Sequence, residues 1–154
     1  MTAGLYYPCK VVLKSGSYLD YVYLTEASKW YESWGVWPKE DKGKFSIRLE
    51  DIRSVESSPS RLPATFANKL YSAGESGMGY SIYTVVFSDG TQQAYGGGNA
   101  VDFIDFPQGQ SVDTVADVLP HVGRDDPLIR IRPNYHWCLY RKSTWQNRVL
   151  DMIS

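Results

Sequence analysis

Lysine and arginine are absent from one long stretch of this 154-residue chain, between Leu70 and Gly123. The same stretch carries six acidic side chains and has a formal charge of −6, whereas the whole chain has a net charge of −1. A P-loop needs a lysine directly after its second glycine, so neither glycine-rich run, 74–79 or 96–98, forms one. The dinucleotide fingerprint fails as well, because the first run is expected to follow a helix and to precede a strand.

Cysteine and long apolar runs are scarce too. Cys9 and Cys138 are far apart and have no CxxC partner, so we expect two small buried thiols, with one long-range disulfide as the alternative. No apolar run approaches the roughly 20 residues of a membrane-spanning helix, and the first residues lack the basic segment of a secretory signal. We therefore expect a soluble, cytoplasmic protein that does not enter a membrane.

Histidine is equally scarce, so a histidine-dependent enzyme could use only His121 or His136. His136 and Cys138 are two residues apart, which places them on the same side of a predicted strand and makes an activated thiolate the one catalytic hypothesis. No local signature of a cysteine enzyme accompanies them, and we expect no cofactor. Asp102 and Asp105 have the spacing of one helical turn, but without a histidine or cysteine ligand cluster we expect no metal site.

Composition and patterning predict one α+β domain over residues 1–154. The chain is 43% hydrophobic and 21% charged, which is typical of globular proteins. Asp89-Gly90 between two apolar runs is the clearest hairpin signal, and the alternation over residues 45–49 predicts a half-buried strand. Helices are expected after caps at Thr25, Ser111 and Ser143, between Pro63 and Gly74, and as a single turn after Asn99. We expect a mostly antiparallel, twisted sheet or a partly open small barrel, with five to seven strands and several short helices.

The opening third of the chain combines a predicted hairpin over residues 11–24 with an alternating strand that ends in Leu49-Glu50-Asp51-Ile52. This arrangement resembles the architecture of the small SH3-like and Sm-like barrels. The resemblance implies, as an alternative function, a small nucleic-acid-binding module that would use Trp37 and the alternating Arg130 and Arg132.

The leading hypothesis is a non-catalytic interaction or inhibitor-type protein that presents an acidic, aromatic-containing surface to a basic protein partner. Immunity proteins and phage-encoded inhibitors use this strategy, in which complementary charge speeds the encounter and selects the partner. Trp30 and Trp34, four residues apart, are expected to pack inward. The residues expected to contact the partner are Trp37, Glu75, Asp89, Asp102, Asp105, Asp113 and Asp117. The alternative interpretation of the acids is a solvated face that happens to lack cations.

Overall fold

The structure is a computed structural model that describes residues 6–141. Over that range it has the predicted α+β class, with two α-helices and nine strands, more than the five to seven expected. The elements in chain order are β1 (Tyr6–Leu13), β2 (Tyr18–Glu26), α1 (Ala27–Trp34), β3 (Phe45–Ile47), β4 (Ile52–Glu56), α2 (Ala64–Ala73), β5 (Ser81–Phe87), β6 (Gln92–Gly97), β7 (Val115–Pro120), β8 (Arg130–Ile131) and β9 (His136–Tyr140). These strands form two sheets, neither of which closes into a barrel. Neither of the two described helices is long and apolar enough to cross a membrane.

The chain divides into two compact units. The central unit is Pro59–Pro133, and the terminal unit contains the described residues 6–58 and 134–141. The expectation of a single domain over residues 1–154 stays a prediction.

The terminal unit is built on a five-stranded sheet in the order β3-β9-β2-β1-β4. β1 pairs antiparallel with β2 and β4, whereas β9 runs parallel to β2 and β3. One face of the sheet buries aliphatic side chains together with Cys9 and Cys138, which are both free thiols, as the sequence predicts. Neighbouring residues of a strand point to opposite faces. Trp137 accordingly lies on the other face, where its ring centroid is 4.3 Å from that of Trp30.

The N-cap of helix α1 lies one residue later in the chain than predicted. The side chain of Glu26, rather than that of Thr25, accepts a hydrogen bond from the Lys29 backbone nitrogen at 3.1 Å. Gly35 ends the helix as expected, with a φ of 73° that a glycine adopts readily. Trp30 is fully buried, as predicted. Trp34, the last residue of the helix, is 36% exposed.

The central unit contains a four-stranded sheet in the order β7-β5-β6-β8. The predicted hairpin at Asp89-Gly90 is confirmed, since it joins the antiparallel strands β5 and β6 and Gly90 has a φ of 85°. Helix α2 packs against β7. Its residue Leu70 joins a core formed by Tyr83, Val85 and Tyr95 of the sheet.

Two helical predictions for the central unit are wrong. Only a 3₁₀ turn, Val112–Thr114, follows Ser111, and the next residues form β7. The β-branched valines favour a strand, and the edge of β5 supplies partners for its backbone hydrogen bonds. The segment after Asn99 is irregular, because its carbonyl and amide groups bond to residues 60–62 instead of forming a turn of helix. The helix predicted after Ser143 lies outside the described residues.

Candidate functional sites: an apolar patch with an acidic rim, and a groove beside Trp37

The two units carry net charges of opposite sign. Pro59–Pro133 contains eight acidic and five basic side chains and has a net charge of −3. The rest of the chain contains nine acidic and eleven basic side chains and has a net charge of +2. The cation-free stretch 70–123 lies entirely within the central unit, so its charge belongs to one folded unit.

Two of the six acids in that stretch form ion pairs within the central unit. The carboxylate of Asp117 on β7 accepts a hydrogen bond from the Lys69 Nζ atom at 2.8 Å, and this cation lowers the pKa of the Asp117 carboxyl. The carboxylate of Asp105 is 3.3 Å from the guanidinium of Arg130 on β8. Because β7 and β8 are the two edge strands of the sheet, these acids lie at opposite edges.

Asp102 is the least accessible of the six acids, with 8% of its surface exposed. Its carboxylate accepts a hydrogen bond from the hydroxyl of Tyr71, and that hydroxyl accepts one from the Val101 backbone nitrogen at 3.2 Å. Among residues 6–141, no three His, Cys, Asp or Glu side chains converge so as to hold a metal ion. In this structure Asp102 therefore supports the fold of the segment after β6 more than it contributes to the surface charge.

The other three acids are exposed but lie at two ends of the sheet. Asp89 occupies the β5–β6 turn, where hydrogen bonds from Thr91 and Gln110 lower the pKa of its carboxyl. Asp113 lies at the same end, because the Ser88 backbone nitrogen donates to the Thr114 carbonyl beside it at 2.8 Å. Glu75 precedes β5 and lies at the opposite end. The structure thus brings Asp89 and Asp113 together and separates both from Glu75.

Exposed large apolar side chains of the central unit are confined to two segments, residues 75–80 and 121–131. Every other large hydrophobic residue between positions 59 and 133, all of them described, is at least partly buried. The exposed fractions are 99% for Met78, 48% for Val122, 76% for Leu128 and 74% for Ile131. We call these four side chains the apolar patch. Exposed large apolar side chains that cluster on a surface are typical of a protein-binding site.

Arg124 ties the two patch segments together. Its guanidinium donates hydrogen bonds to the Tyr80 hydroxyl at 2.7 Å and to the Ser76 carbonyl at 3.2 Å. Its central carbon also lies 5.3 Å from the centre of the Tyr80 ring, a cation–π contact. Arg124 therefore ties the loop 76–80 to the second segment, although its own side chain is exposed to solvent.

A second tie joins Ser76 and His121, which has an unusual backbone φ of 65° for a residue other than glycine. The His121 Nε2 atom is 3.1 Å from the Ala73 carbonyl, which can only accept, so Nε2 carries a proton. The Nδ1 atom lies 2.8 Å from the Ser76 Oγ atom, whose hydroxyl also reaches the Ile82 carbonyl at 3.2 Å. The Ser76 Oγ atom also accepts a hydrogen bond from the Ile82 backbone nitrogen at 2.8 Å. We therefore interpret Ser76 and His121 as residues that hold the loop before β5 in place.

Three exposed acids belong to the same two segments as the apolar patch, and we call them the acidic rim: Glu75, Asp125 and Asp126. None of them forms an ion pair with a described lysine or arginine. Asp126 is fixed in place by a hydrogen bond that its carboxylate accepts from the Leu128 backbone nitrogen at 2.8 Å. The sequence prediction missed Asp125 and Asp126 because Arg124 ends the cation-free stretch; extending the stretch to Asp126 changes its charge from −6 to −7.

Arg130 and Arg132, which the alternative nucleic-acid-binding hypothesis would use, both contact other residues of the central unit. Arg130 pairs with Asp105, and the side chain of Arg132 lies along the backbone of Gly97 and Gly98. The glycine run 96–98 therefore makes room for an arginine side chain.

The environment of Cys138 disfavours a nucleophilic thiolate. Burial raises the pKa of the Cys138 thiol to about 12, and the side chain is not accessible to solvent. Burial also lowers the pKa of His136, whose ring centroid lies 5.7 Å from that of Phe45. The enzyme hypothesis gains no support from these two residues.

Trp37, the remaining predicted contact residue, belongs to the terminal unit and lines a groove of about 510 Å³. The segment before β3 forms one wall with Pro38 and Lys39, and the end of β9 forms another with Tyr140 and Arg141. Ile47, Leu49 and Leu139 give the groove an aliphatic portion. The groove thus combines an aromatic ring, apolar surface and cationic groups.

Comparisons with protein-family models, with curated proteins and with solved structures found no match. Function is therefore inferred from the side chains that the chain places together.

Proposed function

We propose that this protein binds a basic protein partner through the apolar patch and its acidic rim, as a non-catalytic interaction or inhibitor-type protein. The observation that carries the proposal is the coincidence of the two features: the exposed large apolar side chains of the central unit belong to the same two segments as three exposed carboxylates without ion pairs. An apolar centre with a polar margin is the usual composition of a protein–protein interface.

Leu128 and Ile131 are the natural anchors of such an interface. Each exposes about three quarters of its side chain, so contact with a partner would remove most of that apolar area from water. The ties through Arg124 and His121 hold the surface in place before binding, which limits the entropy lost on association.

The acids of the rim would act mainly on the rate of association. Charged groups at the margin of an interface steer a partner of opposite charge, and their effect falls as salt screens them. With a net charge of −3 on the central unit, a basic partner is attracted and an acidic one is repelled.

The experiment that tests the proposal places a photo-crosslinking amino acid at Leu128, with the same substitution at Tyr18 as the control. Tyr18 is 60% exposed and lies in the terminal unit. We expect Leu128 and not Tyr18 to capture a basic protein. The purified pair should then associate about tenfold faster at 20 mM than at 500 mM salt, and Asp125→Asn with Asp126→Asn should remove most of that difference.

Equal crosslinking from Leu128 and Tyr18 would count against the patch as the binding site. An association rate that does not change with salt would refute the role of the acidic rim, whichever protein is captured.

A further inference from the structure

The groove beside Trp37 points to a second binding site, in the terminal unit, that goes beyond the proposed binding of a basic protein. We infer that this groove binds a nucleotide unit, with the base against the Trp37 indole and the phosphate at Lys39 and Arg141. The inference rests on the position of the tryptophan, on the charge of the groove and on its size.

Trp37 is held in place before any ligand arrives. Its ring centroid lies 5.0 Å from that of Tyr31, with 35° between the ring planes. Its backbone nitrogen donates to the Glu40 carboxylate at 3.2 Å, and the following residue, Pro38, is buried. An aromatic ring fixed in this way is a platform for stacking, which every base can use because every base has a π-face.

The charge of the groove suits an anion. Its charged lining residues are three cations, Lys39, Arg48 and Arg141, and one acid, Glu50. The Arg48 guanidinium is occupied, since it donates to both carboxylate oxygens of Asp51 at 3.1 and 3.2 Å. Lys39 and Arg141 form no ion pair within residues 6–141, so both are available to a phosphate.

The size and the remaining lining fit a nucleotide better than a simple anion. A volume of about 510 Å³ falls within the roughly 300–1,000 Å³ of small-molecule pockets. Ile47, Leu49 and Leu139 provide apolar surface that an inorganic anion would leave unused, whereas a base or a sugar ring can cover it.

The test measures binding of fluorescein-labelled single-stranded dT12 to the full chain by anisotropy at 25 mM salt, with AMP and a glutamate-rich peptide as competitors. We expect Trp37→Ala to weaken binding about 5- to 150-fold. Trp37→Phe, which keeps a ring, should restore most of the affinity. Tyr18→Ala, another exposed aromatic of the same unit, is the control and should change nothing.

The cations are tested by the salt dependence of the same binding. Each phosphate contact contributes a slope of about −0.7 to a plot of log K against log salt for a single strand. Lys39→Ala with Arg141→Ala should therefore flatten the slope by about 1.4, whereas the control pair Lys14→Ala with Arg53→Ala should leave it unchanged.

The competitors identify the source of the nucleotide unit. Displacement of dT12 by AMP at a similar concentration would assign the site to free nucleotides, and displacement only by longer strands would assign it to single-stranded nucleic acid. The inference is overturned if neither ligand binds, if binding survives Trp37→Ala and the loss of both cations, or if the glutamate-rich peptide binds at least as tightly as dT12.

Discussion

The contact between Arg132 and Gly97 can be tested by adding a single methyl group. A Cβ atom at Gly97 would lie within 3.0 Å of the Nε, Cδ and Cγ atoms of Arg132, and one at Gly98 would lie 2.7 Å from its Nη2 atom. The Arg132 backbone nitrogen also donates to the Gly96 carbonyl at 3.0 Å, which fixes the base of the side chain in place. Gly97→Ala must therefore displace the arginine, and we expect it to lower the free energy of unfolding by about 1–3 kcal/mol.

The cause of that loss is isolated by a double-mutant cycle with Arg132→Ala. Without the arginine, the three closest contacts of the added methyl group are gone, and Gly97→Ala should gain about 0.5–1 kcal/mol, because alanine loses less backbone entropy than glycine in a strand. The coupling energy should then exceed 1 kcal/mol. Urea unfolding followed by circular dichroism is the appropriate assay, since the central unit contains no tryptophan. Effects that add to within about 0.5 kcal/mol would refute the contact.

Three further predictions concern buried or half-buried groups. Tyr83→Phe should raise the free energy of unfolding by about 1 kcal/mol, because the buried hydroxyl has no hydrogen-bond partner among the described residues; a clear loss in urea unfolding would contradict this. With a pKa of about 12 for Cys138, and with Cys9 equally buried, both thiols should react with a thiol reagent only as fast as the chain unfolds, and stoichiometric labelling of the native protein would disagree. Burial lowers the pKa of His136, so the folded protein binds a proton at this residue less readily than the unfolded chain does. The contribution of His136 to the free energy of unfolding should therefore be complete above the ordinary pKa of 6.5 and be lost as the pH falls through the folded-state pKa. His136→Gln should flatten the dependence of the free energy of unfolding on pH over that range.

The predictions confirmed by the structure depend on neighbours in the sequence. The Asp89-Gly90 hairpin needs only the turn residues and the two apolar runs beside them. The strand predicted from the alternation over residues 45–49 is likewise present as β3, and a 3₁₀ turn, Leu49–Asp51, separates it from β4. In each case the local conformational preference and the tertiary structure agree, so a short window carries the information.

The wrong predictions depend on partners that are distant in the chain. Val112, Val115 and Leu119 have helical spacing, but β5 lies about 30 residues earlier in the chain and offers β7 backbone hydrogen-bond partners along one side. The segment after Asn99 has the same explanation, because its backbone bonds to residues 60–62. No window centred on either segment contains the strand or loop that decides its structure.

Electrostatic predictions from the sequence fail for a related reason, since counting charges does not reveal how they are paired. Asp117 and Lys69 are 48 residues apart in the chain, yet their charged atoms are 2.8 Å apart. Arg124 ends the cation-free stretch, and its guanidinium donates hydrogen bonds to the Tyr80 hydroxyl and the Ser76 carbonyl rather than to a carboxylate. The acids without ion pairs are therefore a different set from the acids of the stretch.

The proposed binding surface can be altered independently of the fold, and this follows from where the patch side chains lie. Leu128 and Ile131 are 76% and 74% exposed and do not belong to the buried core of the central unit. Replacing either removes little apolar area from the folded interior, so the cost in stability should stay within about 0.5 kcal/mol, as for surface substitutions in general. Tyr80 and Arg124, in contrast, position the loops that carry the patch. A loss of binding on changing Leu128 or Ile131 would therefore report on the interface itself, whereas a loss on changing Arg124 would also reflect displacement of the loops.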